Sequence, residues 1–177
     1  SPRKAGVQLE QIPELLQGLF SDPKATMYKA REEDCRQATM ALAAIGIFLT
    51  GLIFMLTPLG FQFGIAVGLL NFCVYTVSIY AGGMLTGGTG SPWDIAQLCG
   101  LVWMPLGIIT GICAIAKIGF VGTIISWVIL YYVVIVGHNF STFNDVKMAL
   151  AISMIISFIA GYCAEGFLKS LAMAMLS

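Results

Sequence analysis

Glu165 and Lys169 stand four residues apart late in the last apolar run of the chain and are its only acid–base pair. At i and i+4, with the acid first, they can pair along one face of a helix. Ionisable side chains at membrane depth mark ion or solute sites, so the pair is a possible intramembrane polar site. If the helix leaves the bilayer near Ala164, both residues are simply interfacial. The single histidine, His138, sits in "GHN", which reads as a helix end at an interface. It has no nucleophile or metal-ligand partner at useful spacing. Cys35, Cys73, Cys99, Cys113 and Cys163 are scattered singly, without the paired spacing of a metal or disulfide framework. Four of them lie in apolar runs, where cysteine behaves as a small hydrophobe. The residues therefore point to no catalytic group, no metal and no cofactor.

The stretch "YAGGMLTGGTGSPWD", residues 80–94, holds five glycines within nine positions and invites a phosphate-loop reading. Such a loop needs a lysine after its last glycine and a buried strand before it. Here Gly90 is followed by Ser91 and Pro92, and no Lys or Arg lies between Arg36 and Lys117. The residues after Gly90 instead start a helix, with Ser91 as N-cap, Pro92 at the first position and Asp94 in the first turn. Trp93 stands where an interfacial aromatic anchor belongs. The glycines read as a flexible tether between two helix pairs.

The elements around these residues follow from composition. The chain is 58% hydrophobic and 10% charged, with mean hydropathy +0.90. Ordinary soluble domains are roughly 25% charged, so the chain reads as a polytopic membrane protein. Hydrophobic runs cut at Pro, Gly and charge give spans near 37–57, 61–82, 95–116, 118–137 and 148–164, the last extending towards 176. The fold class expected is an all-α, five-helix transmembrane bundle. "TPLGF" and "AKIGF" make tight hairpins, and "HNFSTFNDVK" links the last two spans. Pro58 ends the first span, and Pro105 should kink the third.

Residues 1–36 form a separate charged segment, with six of nine cations and six of nine acids. The first apolar run long enough for a signal sequence starts near Met40, behind this charged lead. In "VQLEQIPELLQGLF" the apolar Val7, Leu9, Ile12, Leu15, Leu16, Leu19 and Phe20 suit an amphipathic helix in the headgroup plane. "SDPKATMYKAREEDCRQA" opens a second helix with Ser21 or Asp22 as N-cap and Pro23 next. Its charges make either a solvated, mutually paired face or a docking surface. The cation bias places residues 1–36 in the cytoplasm and the C-terminus outside, in a prokaryotic inner membrane or an internal one.

Helices in lipid associate through small residues and occasional polar bonds. Gly60, Gly64 and Gly68 recur every four residues, as do Gly107 and Gly111, and Ser153, Ser157 and Gly161. All eight are candidate packing positions. Asn71, Tyr75 and Gln97 are expected to form interhelical hydrogen bonds.

From Leu15 to Ala172 the chain resembles the Ypt-interacting-protein (Yip) family of small membrane proteins. The resemblance is carried by "LLQGLFSDPKATMYKARE", by "SPWDIAQLCGLVWMPLG" with its internal Pro, and by "GHNFSTFNDVKMALAI" before the last span. It implies five helices, a cytoplasmic N-terminus and an outside C-terminus. Eukaryotic members carry an Asp-Leu-Tyr-Gly-Pro motif tied to small GTPases; this sequence lacks it, so GTPase binding is not implied. The shorter prokaryotic-type members look closer.

The function expected is that of a non-enzymatic, Yip-like membrane-organising or accessory subunit. Its partners would be the lipid bilayer and other integral membrane subunits or a second copy, not nucleic acid. The alternative is a small transporter or channel for an ion or small solute, which needs polar residues along a midplane path.

Overall fold

The computed structural model describes residues 9–33 and 35–177. Arg3, Lys4 and Val7 of the charged segment, and Asp34, lie outside the described residues. Helices occupy α1 (Ile12–Ser21), α2 (Pro23–Glu32), α3 (Arg36–Phe54), α4 (Gly60–Leu85), α5 (Pro92–Ile115), α6 (Gly119–His138) and α7 (Phe143–Leu176). Among the described residues there is no strand, and α3 to α7 are each long and apolar enough to cross a membrane. The chain is an all-α bundle with the architecture of an integral membrane protein.

Local chemistry explains the boundaries. Asp22 ends α1 and caps α2, its side chain accepting from Ala25 N at 3.0 Å, with Pro23 pre-set for the first turn. Ser91 and Asp94 form a reciprocal capping box at the start of α5. Thr142 caps α7 through Asp145 N. Gly60 opens α4 with φ +73°, a left-handed conformation that favours glycine. Asn139 stops α6 in the same region, at φ 56°. The helices alternate in direction, so the starts of α3, α5 and α7 and the ends of α4 and α6 share one end of the bundle, the charged end.

The charged segment is part of the bundle. Leu15, Met27 and Ala30 are buried in the same apolar cluster as Leu98, Leu101 and Val134. Lys29 Nζ donates to Glu14, tying α1 to α2, and the carboxylate holds the lysine above its ordinary pKa. Gln97 Nε2 donates to the Ala30 carbonyl, which ties α2 to α5. The dense charges thus sit beside a buried apolar stripe, and the segment has more than a solvated face.

Helix α5 is the centre, with Ile95, Leu98, Leu101, Val102 and Leu106 buried. Its hydropathy differs little from that of the other spans, so apolar character alone does not put it there. Close approach does. A Cβ on Gly46 of α3 would lie 2.6 Å from the Trp103 carbonyl, and one on Gly107 would lie 2.7 Å from the Gly46 carbonyl. One on Gly100 would meet the Thr39 carbonyl at 2.6 Å. The α3–α5 pair therefore meets backbone to backbone, as membrane helices do through small residues. Pro105 stands inside α5, which continues to Ile115.

Candidate functional site: a glycine-clasped histidine and a polar cleft

The glycine stretch is not a free tether. Gly82 and Gly83 belong to α4, which ends at Leu85, three residues beyond the expected span end. The turn after it folds against the end of α6. A Cβ on Gly83 would fall 2.0 Å from His138 Nε2, and one on Gly88 would fall 2.5 Å from His138 Nδ1. A Cβ on Gly90 would fall 2.2 Å from the Gly137 carbonyl. Only Gly87 has open space, and its φ of +85° explains that glycine instead. Thr89 N donates to the His138 carbonyl at 3.3 Å. The tether reading fails because a run of glycines also lets backbone lie flat on a ring, and here it does.

His138 is accordingly 1% exposed, and as expected it stands at a helix end, the last residue of α6. Its Nε2 lies 3.0 Å from the Ile79 carbonyl, so that nitrogen carries the proton and Nδ1 presents a lone pair. Nδ1 has no partner among the described residues. One turn away Arg31 of α2 covers the end of α6: Nη1 donates to the Val136 carbonyl at 2.7 Å and to Asn139 Oδ1, and Nη2 lies 3.8 Å from Asp94 Oδ2. A cation there also complements the negative end of the α6 dipole. Loop, histidine and arginine lock α2, α4, α5 and α6 together. The contacts of this arrangement are packing contacts, an ion pair and hydrogen bonds between helix ends.

The second feature is a cleft of about 310 Å³ between α4, α6 and α7. Asn71, Tyr75, Thr123, Ser157 and Glu165 line it from three helices. Asn71, Thr123 and Ser157 all lie roughly 21 Å along their helices from the charged end, at 1.5 Å per residue, which is past the middle of a hydrocarbon core of about 30 Å. Glu165 lies about 33 Å along α7, at the opposite mouth. Thr123 and Ser157 satisfy their hydroxyls on the Gly119 and Met154 carbonyls of their own helices. Asn71 and Tyr75 make no side-chain hydrogen bond among the described residues, in contrast to the interhelical bonds expected of them. A polar group without a partner in hydrocarbon is costly, so the cleft has unspent hydrogen-bonding capacity. Glu165 pairs with Lys169 at 2.8 Å, and both side chains are exposed; the pair closes the mouth and is not buried within a pathway.

The eight packing candidates divide. A Cβ on Gly64 would meet Gly51 Cα at 2.7 Å, one on Gly68 would meet Ile47 Cα at 3.3 Å, and one on Gly111 would meet Ile53 Cδ1 at 3.1 Å. With Gly107 these are close-approach positions. Ser153 is buried, and its Oγ lies 2.1 Å from where a Gly82 Cβ would be. Ser157 is buried at the edge of the cleft. Gly60 and Gly161 are not packing positions: a Cβ on either would meet nothing within 4 Å. Gly60 serves the turn into α4, and Gly161 faces the open cleft. Gly46, Gly51, Gly100 and Gly122 are close-approach positions that four-residue spacing misses.

None of the five cysteines is in a disulfide, Cys73 and Cys163 are exposed, and no group of three metal-ligating side chains occurs among the described residues. No family model matches this chain, and neither a curated protein nor a solved structure shows significant similarity to it.

Proposed function

We propose that this is a non-enzymatic accessory or organising protein of the membrane, working by helix packing against another integral membrane protein. The observation that carries the reading is α7. It has 34 residues and is the least covered of the five long helices. Its buried residues, Val146, Ala149, Ser153 and Ser157, all lie in its first half. By helical periodicity Met148, Ile155, Ile159 and Gly166 share the face turned away from α4, beside the cleft. Each is exposed, and a Cβ on Gly166 would meet nothing within 4 Å. An apolar face with a bare glycine suits close approach of a further span. The resemblance of the pre-span and loop segments to Yip-family proteins supports the same reading.

The exposed native Cys163 lies on the flank of that face, which makes the test direct. With Cys73 replaced by serine, short thiol cross-linkers in the native membrane should join Cys163 to one partner in fixed stoichiometry. A cross-linked second copy would make the protein self-organising. No cross-link, or a random ladder of products, would remove the reading. The alternative, a small transporter or channel for an ion or small solute, draws on the cleft and Glu165. Solute flux by the purified protein alone in vesicles would favour it.

We place the charged end in the cytoplasm, because seven of nine cations lie in or beside it. Single cysteines introduced at Lys24 and Ser177 of a cysteine-free chain should label from opposite sides, with Lys24 reached from the cytoplasm. Labelling of both from one side would exclude five crossings.

A further inference from the structure

The walls of the cleft differ from its lining of neutral polar groups in one respect. Four aromatic side chains, Tyr75, Trp127, Phe158 and Tyr162, face the same space as Glu165 and Asn71. Tyr75 and Trp127 are set edge to face, with ring centroids 5.6 Å apart, so their orientation is fixed before any ligand arrives. No basic side chain lines the cleft. Aromatic faces carry negative potential, and together with one carboxylate they attract weakly hydrated cations.

We propose that this cleft binds an organic ammonium ion, a quaternary or aralkyl ammonium group that enters at Glu165 and seats among the four rings. The cavity of about 310 Å³ has room for a group bearing several short alkyl arms. An inorganic cation needs six or more oxygen ligands converging on one point or keeps its water, and here the Glu165 carboxylate stands at the mouth while Thr123 and Ser157 spend their hydroxyls on their own helices. An uncharged lipid tail would fill the volume but leave Asn71 without a partner. The obstacle is Lys169, which already holds Glu165 at 2.8 Å. Both side chains are more than half exposed, and exposed i,i+4 pairs are weak. An ammonium group held additionally by four rings displaces the lysine. This inference goes beyond the accessory role, which rests on the neighbouring apolar face of α7, and each stands if the other fails.

The test is calorimetric titration of the purified full chain, in uncharged maltoside micelles, with benzyltrimethylammonium. Saturable one-to-one binding is expected, and neopentylbenzene, the same shape with carbon in place of the charged nitrogen, should not compete. Glu165→Gln should weaken binding about tenfold, the scale of one charge-assisted contact. Lys169→Met should strengthen it severalfold by removing the internal competitor, a gain that no misfolded variant would show. Competition by added phosphatidylcholine would make a lipid headgroup the natural source, whereas no competition would make it a free ammonium compound. The proposal is overturned by absence of saturable binding, by equal competition from neopentylbenzene, or by unchanged affinity in both variants.

Discussion

Gly83→Ala is expected to destabilise the bundle by about 3 kcal/mol or more, the scale of severe overpacking. The sign makes this informative. Gly83 is a helical residue near the end of α4, and alanine at such a place ordinarily gains about 0.5–1 kcal/mol. Here the added Cβ would stand 2.0 Å from His138 Nε2 and 2.2 Å from Cδ2. The ring cannot retreat, because Gly88 presses its other edge and a Cβ there would already be 2.5 Å from Nδ1. Moving the ring also breaks the bond to the Ile79 carbonyl inside the bundle. Thermal unfolding in detergent should therefore show a large fall for Gly83→Ala and almost none for Gly161→Ala, where the added carbon meets nothing within 4 Å. The partner in the clash is testable as well. Adding His138→Ala to Gly83→Ala should recover part of the loss, so the two changes should be strongly non-additive. If Gly83→Ala melted with Gly161→Ala, the clasp would not be a structural constraint.

That clasp also marks the limit of what the sequence makes legible. Crossing a bilayer needs length and apolar character, both local properties, and so the spans can be read directly from the chain. The chemistry of helix starts is local too: Ser91, Pro92 and Asp94 announce the capping box at the head of α5. Four-residue spacing is different in kind. It places Gly60, Gly64 and Gly68 on one stripe but cannot say what the stripe meets, and Gly60 falls in a turn while Gly64 abuts Gly51. Gly46 and Gly51 are five apart, so they escape the pattern although both are contact positions. Nothing in "GGTGSP" signals an imidazole some fifty residues later in the chain; the glycines are explained only by a tertiary contact. The cleft is half legible. Glu165 is visible as an acid in an apolar run, but Asn71 and Tyr75 line the same cleft only through the packing of three helices, and no local pattern encodes that.

Arg31→Ala should loosen the N-terminal helices on the bundle. Arg31 is the cation that α2 places over the end of α6, bonding the Val136 carbonyl at 2.7 Å and the Asn139 side chain. Val136 is within the last turn of α6, where backbone carbonyls have no partner inside the helix. Losing the guanidinium leaves that carbonyl unpaired and removes the positive charge near Asp94. The expected cost is about 2 kcal/mol, the scale of one charged hydrogen bond in a partly buried place. Met27 and Ala30 remain apolar and buried, so α2 should loosen rather than detach. Limited trypsin digestion reads this directly, since Lys24 and Lys29 lie in α2 and become cleavable only when it unwinds. Faster cleavage there, with the five long helices intact, is the expected result. Arg31→Lys should rescue only in part, because an ammonium cannot span both acceptors as a fork does. Lys24→Ala, at an exposed site, should leave cleavage at Lys29 unchanged. Should Arg31→Ala resist trypsin as the unaltered chain does, the segment would be held by the burial of Leu15, Met27 and Ala30 and by the Gln97 bond to Ala30, and the arginine latch would carry no weight.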